Sequence, residues 1–201
     1  MELLLPRRCA GCGVAGEVLC PRCRLVWAQP PQRVTASLDP LVPVWSMGVY
    51  GGPRQRTIVS LKERGNRAVA GHIGAALAAG LEYLRARGEL PEEAVALPAP
   101  TRARSARLRG GDHVTACCRA AGIPVAAGRL RYRGGVHDSV GLSAQERRRN
   151  VAGAVRIGGV LPPRVVLIDD VLTTGATIGA AAALLLAQGI EVDGAVVWAH
   201  A

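Results

Sequence analysis

Two stretches of the chain carry side chains whose types and spacing can do chemistry. In one, Asp169 and Asp170 follow the apolar run Val165-Val166-Leu167-Ile168 and lead into Leu172-Thr173-Thr174-Gly175-Ala176-Thr177. Paired acids at the end of a buried run are costly unless something answers them. A ribose diol answers with two hydroxyl donors, and Mg²⁺ with charge. The hydroxyls of Thr173, Thr174 and Thr177 and the backbone N–H groups around Gly175 and Ala176 converge where a helix begins, and a helix N-terminus favours an anion. Gly175 lets the backbone come close to phosphate oxygens. The loop lacks the Gly-Lys-Ser/Thr of a triphosphate-binding motif, and Lys62 is the only lysine in the chain. Triphosphate hydrolysis is therefore disfavoured. A terminal monophosphate beside a diol is the ligand that fits.

The other stretch is N-terminal: Cys9-Ala10-Gly11-Cys12 and Cys20-Pro21-Arg22-Cys23 form two C-x-x-C pairs. A tight turn brings each pair of thiolates to one side, and four thiolates in a tetrahedron make a closed structural Zn²⁺ site. Two disulfides, an iron–sulfur cluster or a site that has lost its metal are the other readings of such a quartet. A redox role is disfavoured on the expectation that neither pair opens a helix after a strand. Arg7, Arg8, Arg22 and Arg24 flank the pairs and would offset the charge of four thiolates. The adjacent Cys117 and Cys118 read instead as small buried apolar residues on a helix.

The elements that must position these groups follow from periodicity and punctuation. The run 165–168 is a strand ending at the acid pair. A helix over 176–188 follows it, with Gly189 as C-cap, and a strand over 192–199 comes last. Upstream, 42–50 is extended and helices cover 55–63 and 67–87. In the second of these Val69, Ile73, Leu77, Leu81 and Leu84 share a face, so they are core. A short strand at 94–97 is ended by Pro98-Ala99-Pro100. A helix near 111–121 and a strand near 124–126 come next, and 129–150 is polar, basic and irregular. Pro30, Pro31, Pro40 and Pro43 mark a linker. Strands alternating with helices predict an α/β domain with a parallel sheet covered on both faces, its ligand crevice at the carboxyl ends of the strands.

The 201 residues suffice for one α/β domain with a small appendage, and at 49% hydrophobic they can build a core without any Phe. The net charge of +10, nearly all of it Arg, favours anionic partners such as nucleotides, nucleic acids or lipid headgroups. No run is apolar enough to span a bilayer, and the N-terminus is too short for a signal peptide. The expected location is the cytoplasm, with thiols reduced.

The segment 165–177, an apolar strand, two acids, two residues and T-T-G-x-T, resembles the phosphoribosyl-diphosphate (PRPP) signature of the type I phosphoribosyltransferases. The whole chain is similar to one branch of them, the ComF family. The matching features are the double C-x-x-C; Leu61-Lys62-Glu63-Arg64-Gly65-Asn66-Arg67; Leu97-Pro98-Ala99-Pro100 followed by Arg109-Gly110-Gly111-Asp112-His113; and Gly141-Leu142-Ser143 with Arg147 and Asn150. Many members read R-G-F-N-Q where this chain has residues 109–113, and a Gln is common where it has Asp138. The resemblance implies a Rossmann-like phosphoribosyltransferase domain over 42–201 and a zinc ribbon with a Pro-rich linker over 1–41. It implies that Asp169 and Asp170 bind the ribose hydroxyls, and that Thr173, Thr174, Gly175, Ala176 and Thr177, together with Thr101, bind the phosphoribose. Mg²⁺ would accompany PRPP. Lys62, Arg102 and Arg109 are the candidate catalytic cations for a departing pyrophosphate, with Arg104 beside them, and 131–149 is a candidate lid. The reaction implied is transfer of phosphoribose to an acceptor. The alternative is a non-catalytic nucleotide- or nucleic-acid-binding protein, with Trp27 and Tyr132 the better placed of the aromatics to stack on bases. The family association is with uptake of single-stranded DNA in natural competence, beside a helicase-like protein.

Overall fold

The computed structural model describes residues 7–100, 112–132 and 155–201. Five strands make its central sheet: β1 (Gln32–Arg33), β2 (Val44–Ser46), β3 (Val95–Pro98), β6 (Arg164–Leu172) and β7 (Glu191–His200). Their order across the sheet is β1-β2-β7-β6-β3. β2, β7, β6 and β3 run parallel, and only the two-residue β1 pairs antiparallel, as an edge on β2. The fold is thus mixed α/β with a mostly parallel central sheet, as its apolar strands require: a parallel sheet buried on both faces has no polar side. Alternate residues of a strand point to opposite faces. Val166 and Ile168 of β6, with Val196 and Trp198 of β7, enter one core. Val165 and Leu167, with Ala195 and Val197, enter the other.

The first core is covered by α2 (Gly52–Lys62), α3 (Ala70–Ala86, after a 3₁₀ turn at Arg67–Val69) and α4 (His113–Ala120). The expected apolar stripe of α3 is buried there, and so are Cys117 and Cys118 of α4. Burial pushes the Cys118 thiol up to about 12, as suits a packing residue rather than a ligand. The second core is covered by α5 (Ala176–Ala187) and by a two-stranded antiparallel sheet, β4 (Arg129–Tyr132) with β5 (Val155–Gly158).

Three expectations need correction. Residues 129–132 are a strand rather than irregular chain: Leu130 and Val155 are both buried, and these apolar positions anchor the β4–β5 ribbon against the core. Strand β6 also does not stop at Ile168 but continues through both acids to Leu172. The Pro-rich stretch is packed rather than loose. Pro31 is buried, with Gly80 of α3 close against it; Val34 N–H donates to Val44 O at 2.9 Å and Leu38 N–H to Thr174 O at 2.9 Å. The N-terminal helix α1 (Pro21–Trp27) shares the first core with α2 and α3, through Cys23 and Trp27. Among the described residues no helix is long and apolar enough to cross a membrane.

Candidate functional site

At the carboxyl end of β6 the two acids part company because a strand alternates. Asp170 falls in the series Val166, Ile168, Asp170 and so faces the core covered by α2 and α4. There the last residue of α2 and the first of α4 meet it. Lys62 Nζ lies 2.7 Å and His113 Nε2 2.6 Å from the same oxygen, Asp170 Oδ2. The placement of His113 is built locally. Asp112 caps α4, accepting from Val114 N–H at 3.1 Å and from the Thr115 hydroxyl at 2.6 Å. The imidazole then stands edge-on to the Trp198 ring, with centroids 5.8 Å apart. His113 Nδ1 is buried without a hydrogen-bond partner among the described residues, so Nε2 is the nitrogen that donates to the carboxylate.

The electrostatics separate the pair. Asp170 is 7% exposed. Burial alone would raise its pKa, but the His113 hydrogen bond and the Lys62 charge outweigh it and hold the carboxyl well below the usual carboxylate range. Asp169 is partly buried, and its Oδ1 accepts the backbone N–H of Asp170 at 2.8 Å. Burial first, and the neighbouring Asp170 charge second, push it up to about 8. One acid is ionised and compensated; the other is held in an environment that resists ionisation.

The chain then turns through Thr173 and Thr174 into Gly175, the N-cap of α5, at φ 88°. This left-handed angle favours glycine. A Cβ there would also stand 2.8 Å from Ala36 Cβ and 2.9 Å from Leu38 O. Close approach at Gly175 is thus made by residues 36–38 of the same chain. Thr174 Oγ1 accepts from Ala176 N–H at 3.4 Å, and the Thr177 and Tyr132 hydroxyls are 3.3 Å apart.

Lys62, Asp169, Asp170, Thr173, Thr174, Gly175, Ala176 and Thr177 therefore gather at one end of β6 and the start of α5. Thr101, Arg102, Arg104 and Arg109, the 133–149 part of the candidate lid, and Asn150 lie outside the described residues. Sequence reasoning noted His113 only within the 109–113 segment compared with the family and missed it as a site residue; the capping Asp immediately before it was a second signal. Trp27 cannot stack on a base: it is 2% exposed, and the Arg54 guanidinium covers its ring at 4.8 Å.

The second cluster is Cys9, Cys12, Cys20 and Cys23, whose sulfurs all lie within 4.8 Å of one another. Cys12 Sγ and Cys20 Sγ are 3.6 Å apart, near the ~3.8 Å edge of a tetrathiolate zinc tetrahedron. Such a quartet can hold a structural metal ion. All four cysteines are free thiols, with no disulfide among them. Gly11 is required by crowding, since a Cβ there would come 2.7 Å from Cys23 Sγ. Burial works against a Cys9 thiolate, but amide hydrogen bonds, led by that of Cys20 at 3.3 Å, bring it down to about 6. The second pair opens a helix, since Cys20 is the N-cap of α1, but among the described residues no strand precedes that helix, in keeping with the expectation. The convergence of all four sulfurs is what favours a metal over a dithiol. Arg24 pairs with Glu17 at 2.8 Å and donates to Leu19 O at 2.7 Å beside the cluster.

No protein-family model matches the chain, and no curated protein matches it.

Proposed function

We propose that the chain is a ComF-like protein of the type I phosphoribosyltransferase fold, and that it binds PRPP or a ribose 5-phosphate group at the end of β6. One observation carries the reading. An acid pair near the carboxyl end of a central parallel strand is followed, after Val171 and Leu172, by a Thr-Thr-Gly loop and a helix N-terminus, an order that supports diol acceptors beside a phosphate cradle. In this reading Asp169 and Asp170 take the ribose hydroxyls, and Thr173, Thr174, Gly175, Ala176 and Thr177 surround the 5′-phosphate, with Thr101 beside them. Mg²⁺ suits a site with carboxylate oxygens, and carried in with PRPP it would offset the charge of the diphosphate. The quartet of cysteines holds Zn²⁺ as a structural ion in the same reading.

The reaction proposed is transfer of phosphoribose to an acceptor. The bond from C1 to the diphosphate oxygen breaks, the acceptor bonds to C1, and pyrophosphate leaves. Lys62, Arg102 and Arg109 are proposed to steady the leaving charge. The proposed setting is cytoplasmic handling of single-stranded DNA in natural competence, beside a helicase-like partner. A non-catalytic nucleic-acid binder is the second reading, favoured by the net charge of +10. All three tryptophans are buried while Tyr132 is only partly so, so a hold on a strand would rest mainly on phosphate contacts and weaken with salt.

The test is a comparison of ribose 5-phosphate with 2-deoxyribose 5-phosphate by calorimetric titration. Losing one diol donor to a charged acceptor costs about 1.5–3 kcal/mol, so the deoxy sugar is expected to bind about tenfold or more weakly. Equal binding of the two sugars, or none by either, would refute the diol site.

A further inference from the structure

On the other side of β7 from the acid pair, α1, the end of β2, the start of α2 and the last residue of β7 border an open cavity of about 500 Å³. That volume is within the range of small-molecule sites. None of the proposed ribose-phosphate residues lines it, so a ligand held there is independent of the ribose-phosphate reading. Its wall includes Arg54, only 3% exposed. The guanidinium donates to the main-chain oxygens of Val26 and Trp198 and lies over the Trp27 ring. No carboxylate is within salt-bridge reach of it among the described residues, and part of its donor fork has no hydrogen bond there. Burial draws its pKa down to about 10, so it remains charged at neutral pH. A desolvated cation without a counter-ion is costly. Clasping α1 through two carbonyls explains its position but leaves its charge unanswered.

The rest of the wall agrees in sign and shape. Gly51, the N-cap of the eleven-residue α2, lines the cavity and has no side chain to fill it. Ser46 and His200, joined by a 2.9 Å hydrogen bond, add polar groups. No acidic residue lines the cavity. Its rim is apolar, with Leu25 66% and Val49 67% exposed.

We infer that this cavity binds a small organic anion, its charged head on Arg54 beside Gly51 and its apolar body against Leu25 and Val49. Calorimetric titration of the full chain with benzoate, with uncharged benzamide of the same shape, and with inorganic phosphate tests it. Benzoate is expected to bind in the millimolar range or tighter, and benzamide and phosphate each about tenfold more weakly, the one lacking charge and the other the apolar body. Val49→Asp, at an exposed position that leaves the fold intact, is expected to weaken benzoate about tenfold by repulsion, with an unchanged melting curve. Arg54→Gln should abolish binding in whatever fraction remains folded. Absence of benzoate binding at about 10 mM, binding of benzamide or phosphate equal to that of benzoate, or undiminished binding to Val49→Asp would each overturn the inference.

Discussion

Asp169 and Asp170 are neighbours in sequence with opposite titration behaviour, and strand alternation is the cause. Asp170 is turned toward Lys62 and His113 and is stabilised as an anion. Asp169 has a single backbone donor and a like charge next to it, and is pushed up to about 8. Accepting a ribose hydroxyl, directly or with Mg²⁺ nearby, requires the Asp169 carboxylate. Binding of PRPP with Mg²⁺ at pH 7 should therefore release a proton, and affinity should rise from pH 6 to pH 8. Calorimetry in buffers of differing ionisation enthalpy reads the proton directly; a heat independent of buffer would mean Asp169 does not meet the ligand. The acids and the Thr-Gly loop were legible because their types are unusual at the end of an apolar run. His113 was not, since a His at the first turn of a helix ordinarily faces solvent; only the tertiary approach of α4 to β6 reveals it.

At the scale of elements, the parallel strands and the helices between them could be read from apolar runs and punctuation. What could not be read was pairing across distance. The alternation of β4, Arg-Leu-Arg-Tyr, looks like exposed basic chain until its partner β5 is known, more than twenty residues on. The prolines of residues 30–43 suggested a linker because proline reports local stiffness and says nothing of what a segment lies against. In the fold, residues 36–38 brace the start of α5. Gly175 is where the two meet. Gly175→Ala should destabilise the protein by about 1–3 kcal/mol, from an unfavourable left-handed angle and from contact with Ala36 and Leu38. For a chain of this size that is a fall in melting temperature of about 2–4 °C per kcal/mol. A melting temperature equal to wild type would show that the brace does not form.

For the whole molecule, the cysteine quartet and the sheet domain are coupled through packing. Cys9, Cys20, Cys23 and Trp27 share one buried cluster with Ile58, Leu61 and Leu77. Metal removal should therefore lower the stability of the whole chain and not of its N-terminus alone. Purified protein should carry about one Zn per chain. Cys9→Ser or a strong chelator should shift its single melting transition downward by several degrees. A metal-free protein with an unaltered transition would contradict this.

In the proposed function Asp169 serves a ligand at a cost to the fold, and its substitution separates those two roles. Its pKa is raised on folding, so its contribution to stability is fully present below the unfolded value near 4 and is lost as pH rises toward about 8. Asp169→Asn removes that loss, and at pH 8 the variant should melt higher than wild type, with the advantage vanishing near pH 4. The decisive measurement is calorimetric titration of wild type and Asp169→Asn with PRPP and Mg²⁺ at pH 8. Wild type should give a clear binding isotherm, and the more stable variant an affinity about one to two decades lower. Equal affinity in the two proteins, or no binding by wild type, would contradict it.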